Sequence, residues 1–381
     1  LNKQRFATTG TSRKTAKEMT AQLYRQTLAV MRKRGGPYAG LDIPEFYALV
    51  EALFSPEEAE VNNAMTRRPV TTADLAAQMA RDEAAISPVL EKMADKGLCS
   101  TYLSAGTRYY QGAAFMPGIF EYQFLPGRAT ERDKKIARLI RDYKHAYTAA
   151  AGEQKLNFPV TRVITVDRKI NAGNRIHTYD QVATYVDRYD PIAVGTCYCR
   201  HAAGLNGEDV RDLPMEVCMW FGKHAEYAIE RLGGRRLTRQ QARELLDRTE
   251  KAGLVHMSRN TTEEIDFLCN CDRWHCEVIT GVLKHAKPAM FFNSGFQPRF
   301  DPDRCTACEA CLHRCPAAAL TLGDQALPIV NLDRCFGCAV CATGCPEQAI
   351  GMEAKPDFPK PPKTTNDLIS ALTFAPTRRK T

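Results

Sequence analysis

The chain states one cysteine pattern twice, thirty residues apart. Asp303-Arg304-Cys305, Cys308, Cys311, Cys315-Pro316 and Ala319 recur as Asp333-Arg334-Cys335, Cys338, Cys341, Cys345-Pro346 and Ala349. A two-residue spacing lets a tight loop aim three successive sulfurs at three corners of one [4Fe–4S] cubane. The turn at proline carries the fourth sulfur away to the neighbouring cluster. The spacing therefore predicts one cluster on Cys305, Cys308, Cys311 and Cys345, and a second on Cys335, Cys338, Cys341 and Cys315. A zinc ribbon would instead want two CxxC pairs. Electron transfer is the chemistry such a segment serves.

At 381 residues the chain is too long for this segment alone, and two or three domains are expected. A hydrophobic share of 44% suits a folded protein, and no apolar run reaches membrane-spanning length. Residues 1–40 are basic and polar without an apolar segment, so no secretory signal is expected. Leu1 in place of methionine points to processing, a trimmed start or a misread start codon. The fifteen cysteines cluster at metal-ligand spacing, which suits a reducing cytoplasm.

The net charge of +8 is unevenly spread. Residues 1–41 hold nine Lys/Arg against Glu18 alone, whereas residues 42–125 hold six basic side chains against twelve acidic. We read 1–41 as a basic arm with one helix over 15–34, ended by Gly35-Gly36-Pro37. Residues 42–125 read as short helices and then a hairpin: 43–54, 56–65, 71–79 and 82–96, followed by strands over 98–102 and 107–111 around Ser104-Ala105-Gly106. In the last helix Ile86, Val89, Leu90 and Met93 share one face, and Gly97 ends it. Helices followed by a two-stranded wing resemble a winged-helix domain. Its reading helix would carry Asp82, Glu83, Glu91 and Asp95 against Lys92 and Lys96, a balance that phosphates repel, so DNA is disfavoured as a partner.

Residues 126–290 are expected to form a small α/β middle domain, with a charged helix over 131–149, strands over 160–166 and 191–196, and helices over 179–188, 214–232 and 238–252. It holds six further cysteines: Cys197 and Cys199 in Cys-Tyr-Cys-Arg-His, then Cys218, then Cys269, Cys271 and Cys276. CxC twice in polar company points to ligation, of a third [4Fe–4S] cluster or of zinc. The favoured set is Cys199, Cys218, Cys271 and Cys276, which joins all three segments, with Cys197, Cys269, His201 and His275 as alternatives. Arg200 and Arg273 beside the thiolates suit either a redox-active dithiol or the balancing of an anionic cluster. Lone Cys99 reads as structural, and His177, His224 and His256 as ordinary surface or core residues. Residues 291–354 hold the double run, and 355–381 form a Pro/Lys-rich tail with an apolar stretch over 368–374.

The last quarter of the chain resembles a bacterial-type dicluster ferredoxin. The whole layout, with winged-helix-like region, CxCR-bearing middle and ferredoxin, is similar to a group of bacterial iron–sulfur proteins. In that group the region matching 269–276 is a denser cysteine run, where this chain has Asn270, Asp272 and His275. The resemblance implies an electron-transfer component, often tied to anaerobic metabolism, and names no substrate; the elements read above make the fold α+β and multidomain. The reading is a cytoplasmic subunit of a larger oxidoreductase, with a redox protein as partner, compatible with an oligomer and with peripheral membrane association through that partner. Two rival readings are a reductase acting at the middle cysteines and a redox-sensing DNA-binding regulator. Gly233-Gly234 lacks the spacing and preceding strand of a dinucleotide fingerprint, so no flavin or nicotinamide site is expected.

Overall fold

The computed structural model describes residues 10–152, 159–166, 182–323, 327–356 and 358–374. The chain divides into two compact units, Leu1–Gln154 and Lys155–Thr381, and both helices and strands build it, so its class is α+β.

The first unit contains α1 (Gly10–Arg34), α2 (Pro44–Leu53), α3 (Pro56–Ala64), α4 (Thr72–Met79), α5 (Glu83–Asp95), β1 (Cys99–Ser104), β2 (Thr107–Gly112), α6 (Ile119–Phe124) and α7 (Glu131–Ala151). Helix starts follow local chemistry. Ser55 with Glu58, Thr71 with Asp74, and Thr130 with Asp133 each form a reciprocal capping box, and proline opens α2 and α3. On α5 the face Ile86, Val89, Leu90 and Met93 is buried, and Gly97 turns the chain at φ +69. β1 and β2 pair antiparallel, and Val70 bridges Tyr110.

The boundary differs from the expected one at both ends. α1 is no separate arm: it buries Tyr24, Leu28 and Met31, and its last residue, Arg34, lies inside the unit. Likewise α7 belongs to the first unit, packing on α2 with Ile136, Ile140 and Tyr143 buried. Arg34 explains the first case. Its guanidinium donates to Asn62 Oδ1 (2.7 Å), Asn62 O (2.8 Å), Met65 O (3.1 Å) and Ala113 O (3.0 Å), closing the ends of α1, α3 and the hairpin together. Burial lowers its pKa to about 10, still far above neutrality. Glu58 is a buried anion of the unit. Burial pushes its carboxyl up, but hydrogen bonds from Lys96 Nζ (2.8 Å) and Ser55 N (2.9 Å) outweigh that and hold it below its usual value.

The second unit opens with β3 (Thr161–Val163), α8 (Val182–Arg188), β4 (Ile192–Thr196), α9 (Tyr198–Leu205), β5 (Glu216–Phe221), α10 (Lys223–Arg231), β6 (Arg235–Leu237), α11 (Arg239–Lys251), β7 (Val255–Arg259), β8 (Phe267–Cys271) and α12 (Glu277–Val282). Six strands form one sheet in the order β3-β7-β8-β5-β4-β6, antiparallel throughout. The helix expected over 214–232 is a strand, a turn and a shorter helix. Val217, Met219 and Phe221 alternate toward one core, β5 is paired on both sides, and Gly222 (φ +56) breaks the chain before α10. β6, β7 and β8 were not expected; of the helix read over 179–188, α8 covers 182–188, and residues 179–181 lie outside the described residues.

The double run then folds as β9 (Phe296–Phe300), α13 (Ala310–Arg314), β10 (Leu320–Leu322), β11 (Pro328–Val330), α14 (Val340–Thr343) and β12 (Ile350–Ala354), with β9 pairing β12 and β10 pairing β11. It shares one apolar core with the sheet: Val163, Val255, Met257 and Ile279 pack in the same cluster as Phe292, Phe336 and Met352. The expected boundary at 290/291 is therefore no gap in packing. Thr165 Oγ1 and Ser294 Oγ both donate to Gly337 O (2.8 Å each), and Asn293 Nδ2 donates to Cys335 O (2.9 Å). Gly337 has φ +70, and a Cβ there would strike Phe296 O and Ser294 Oγ. The tail turns back on its own unit. Thr262 N donates to Pro362 O (2.9 Å) and Glu263 N to Lys363 O (3.0 Å), leading into α15 (Thr365–Phe374), where Leu368 is buried. Among the described residues no helix is long and apolar enough to cross a membrane.

Two outcomes follow from the buried charges of the first unit. Arg34→Met leaves four buried acceptors without their donor and should lower unfolding free energy by about 3–5 kcal/mol, read from urea midpoints. Glu58→Gln should cost about 1–3 kcal/mol at neutral pH. Because the folded carboxyl titrates below its ordinary 4.5, the Glu58 contribution is complete above that pH and fades as pH falls through the folded value. The gap between parent and variant should therefore close on acidification, and a pH-independent gap would contradict this account.

Candidate metal centres

Each cysteine run enters its site through a loop in which left-handed residues turn successive sulfurs inward: Ala307 and Glu309 in the first run, Gly337 and Ala339 in the second, all at positive φ. The short helix after each loop, α13 or α14, then carries the chain to the fourth cysteine. There Ala319 N donates to Cys315 Sγ (3.2 Å) and Ala349 N to Cys345 Sγ (3.3 Å), the same bond in both halves. Asn331 and Asp301 repeat a second device, each side chain accepting the N–H two residues on.

Two cavities result. One is lined by Cys305, Cys308, Cys311 and Cys345, with Leu322 and Ile350 among its walls. The other is lined by Cys315, Cys335, Cys338 and Cys341, with Phe336 and Met352. The fourth cysteine of each run thus lies in the other run's cavity. Exposure separates the two. All four sulfur residues of the second cavity are buried, whereas Cys308 of the first is exposed and Cys305 and Cys345 are half-buried. Burial pushes the thiols of Cys335, Cys338 and Cys341 up, and facing cysteines add to the shift.

The six middle cysteines come from three strand ends. Cys197 follows β4 and caps α9, which carries Cys199 in its first turn; Cys218 lies on β5; Cys269 and Cys271 lie on β8, and Cys276 caps α12. Period two puts Cys269 and Cys271 on one face of β8 and Asn270 on the other. The register Met219↔Leu268, carried one step on, sets Cys218 opposite Cys269.

All six sulfurs meet. Cys197 shares hydrogen bonds with Cys199 and Cys218, Cys199 with Cys276, Cys276 with Cys271, Cys271 with Cys269, and Cys269 with Cys218, all six being free thiols. The six form a closed ring in which every sulfur has two sulfur neighbours. Shared protons push alternate members apart: Cys197, Cys269 and Cys276 are lowered, and Cys199, Cys218 and Cys271 raised. The expected set Cys199, Cys218, Cys271 and Cys276 is brought together, but Cys197 and Cys269 stand in the same ring on equal terms.

The histidines named as alternatives have other partners or positions. His275 directs Nδ1 to Asp272 Oδ1 (3.0 Å) and Nε2 to Asp209 O (3.1 Å). His201 lies half-buried on α9.

A buried cation stands behind the ring. Arg200 is fully buried and donates to Asp272 Oδ2 (2.9 Å), Pro214 O (2.9 Å) and Asn270 O (3.2 Å). Burial lowers its pKa, but Cys197, Asp272 and Cys218 raise it by more, so the guanidinium stays charged against the sulfurs. The pairing with Asp272 was not foreseen. Also unforeseen was the network behind β8, in which Asn270 Nδ2 donates to Val217 O (2.7 Å) and Asn270 Oδ1 takes Thr249 Oγ1 (3.1 Å) and His256 Nδ1 (2.7 Å). The alternation Cys-Asn-Cys was the available signal, once read as a strand. Arg273 Nη1 donates to Cys315 O (3.3 Å), so the loop between Cys271 and Cys276 touches a residue of the second cavity.

Among the described residues no group of three or more His, Cys, Asp or Glu is set to hold a metal ion, in the cavities or the ring alike. Arg200→Met should cost about 3–5 kcal/mol, since it strands the Asp272 carboxylate. Adding Asp272→Asn should recover part of the loss, measured as a double-mutant cycle in urea, and strict additivity would argue against the pair.

Residues 287–350 match the family model of the 4Fe-4S dicluster domain. No curated protein matches the chain. Two cavities rimmed by sulfur fit such clusters, so the C-terminal part of the chain is a ferredoxin-like [4Fe–4S] domain with an electron-transfer role.

Proposed function

We propose that this chain is an electron-transfer protein in which two [4Fe–4S] clusters lead from a surface port into the cysteine-rich sheet. Cys305, Cys308, Cys311 and Cys345 hold the outer cluster, and Cys315, Cys335, Cys338 and Cys341 the inner one. The observation that carries this reading is the difference in burial between two otherwise equivalent cavities. Exposed Cys308 makes the first cavity the place where an outside redox protein comes close. The second is enclosed by the shared core and touched by Arg273 from the ring loop. Bound clusters supply one-electron redox chemistry. The chain's own residues set each environment, through the N–H groups of Ala319 and Ala349 directed at sulfur and through the exclusion of water from the inner site.

The partner is a redox protein or the remaining subunits of an oxidoreductase, and the site of this work is the cytoplasm. Leu322 and Ile329, exposed on the β10–β11 hairpin beside the outer cavity, offer it apolar contact. We read α4, α5 and the β1–β2 hairpin as a winged-helix module that docks protein rather than DNA. The exposed positions of α5 include Glu83 and Asp95, which suit no phosphate backbone. A second reading, a reductase acting at the ring, is favoured by the half-exposure of Cys199, Cys218 and Cys269. It requires that a small-molecule substrate perturb the spectrum of the ring and not that of the ferredoxin clusters.

Iron, acid-labile sulfide and low-temperature EPR on anaerobically purified protein test the main reading. Cys308→Ser should alter the outer cluster's signal and slow reduction by an external donor, whereas Cys338→Ser should remove the inner signal while the outer cluster still reduces. Equal loss of one common signal in both variants would break the two-site assignment.

A further inference from the structure

The two copies of the cysteine motif have opposite charge around them. Glu309 and Glu347 stand on the rim of the outer cavity, both exposed. Among the described residues, the walls of the inner cavity hold no ionisable side chain but cysteine. Cations instead hold its loops from behind, through backbone carbonyls. Arg334 Nε donates to Ala317 O (2.9 Å), Arg273 Nη1 to Cys315 O (3.3 Å), Arg314 Nε to Val340 O (3.3 Å) and Lys355 Nζ to Cys335 O (3.5 Å). All four carbonyls belong to a cysteine of the inner set or to a near neighbour of one in the chain. The acidic residue closest in sequence, Glu353, follows Met352 on β12; strand alternation turns it to the other face, where it accepts from Gln297 Nε2 (3.0 Å).

The repeat shows that this arrangement is particular to one copy. Arg304 and Arg334 occupy the same motif position, yet Arg334 is half-buried and Arg304 exposed. The counterpart of Arg314 is Gly344. A Cβ on Gly344 would strike Nε and Cδ of Arg314, so the second copy is bare where the arginine of the first crosses it. The same guanidinium donates to Glu250 O (3.0 Å) and Lys251 O (3.3 Å) at the end of α11, which fixes its place.

Reduction adds one negative charge to a cluster, so the charges around a site bear on its potential as much as its exposure does. Burial alone disfavours added charge and would leave the inner site the weaker acceptor. Nearby cations act the other way, and these four, all half-buried, are screened less than surface charges. At an effective dielectric constant of about 20, one unit charge about 8 Å away shifts such an equilibrium roughly thirtyfold. Four together outweigh the exclusion of water, while exposed Glu309 and Glu347 disfavour charge at the outer site only mildly.

We propose that Arg273, Arg314, Arg334 and Lys355 form a cationic collar that makes the inner site the electron sink of the pair. The collar rests on the two-cluster reading above and adds a direction to it. One electron leaves an external donor, a reduced redox protein, enters at the outer site beside Cys308 and comes to rest at the inner one. No bond to cysteine forms or breaks, and no proton is required. The four cations are positioning residues, since they touch the loops that carry the sulfurs.

The test is an anaerobic redox titration of the full chain followed by low-temperature EPR, with iron counted on the same samples. Wild type should show two one-electron steps at least a hundredfold apart in reduction equilibrium, about 120 mV. Glu309→Gln, a substitution on the surface, should favour reduction in the lower-potential step alone, which assigns that step to the outer site. Arg314→Gln and Arg334→Gln should each lower the higher-potential step about tenfold, or 59 mV, and move the other step less. Arg334→Lys keeps the charge and should keep the wild-type potential, which a role confined to holding the loop would not predict. Two coincident steps, or neutral collar variants that shift neither step, would overturn the proposal. Glu309→Gln acting on the higher step would reverse the order and overturn it too, and this surface variant keeps the test alive where a collar variant fails to fold. Fewer than about eight irons in wild type would instead remove the two-cluster reading, and the collar with it.

Discussion

One guanidinium touches every segment that brings a cysteine to the ring. Arg200 sits on α9 beside Cys199, reaches Pro214 O just before the strand of Cys218, and pairs with Asp272 just after the strand of Cys269 and Cys271. Three stretches distant in sequence are thereby held in one register by a single buried charge. Breaking a pair of this kind leaves a carboxylate in a dry interior, so the segments hold together or the sheet end opens. Asp272 extends the constraint by taking the N–H groups of Trp274 (2.8 Å) and His275 (2.7 Å), which shapes the turn that delivers Cys276.

The second constraint is the seam between sheet and double run. Carbonyls of the loop that lines the second cavity, Cys335 O and Gly337 O, accept from Asn293, Ser294 and Thr165. A loop whose carbonyls are fixed from outside has little freedom to vary the placement of its sulfurs. Gly337 is required for that approach, while its counterpart in the first run, Ala307, shows that the turn alone tolerates a side chain. The difference between two copies of one motif thus records which copy was built into the body of the protein.

The sequence made the double run legible because spacing and chemistry coincide there: two-residue intervals, proline, and a repeat leave few alternatives. Helices with capping boxes were legible for the same reason, local chemistry deciding local geometry. What escaped was decided at long range. The stretch Glu216–Phe221 carries enough helix formers nearby to read as part of a helix, and only pairing with β4 and β8 makes it a strand. Missing that strand and β8 hid the ring, because period two is what sets Cys269 and Cys271 together and aligns Cys218 with them. The basic segment before residue 41 was misjudged by charge, since Arg34 contributes to that charge and yet is buried.

The exchange of fourth cysteines has a consequence for biosynthesis. Residues reach the folding chain in sequence order, and the ring's last member is Cys276, followed much later by Cys341 and Cys345. The ring is complete while the double run is still being made. The inner cavity gains its last sulfur at Cys341, and the outer one at Cys345, four residues on. Until then Cys305, Cys308 and Cys311 form an open three-cornered nest and Cys315 waits for a partner run. In order of synthesis, the most exposed cavity is thus the last to receive all of its sulfurs.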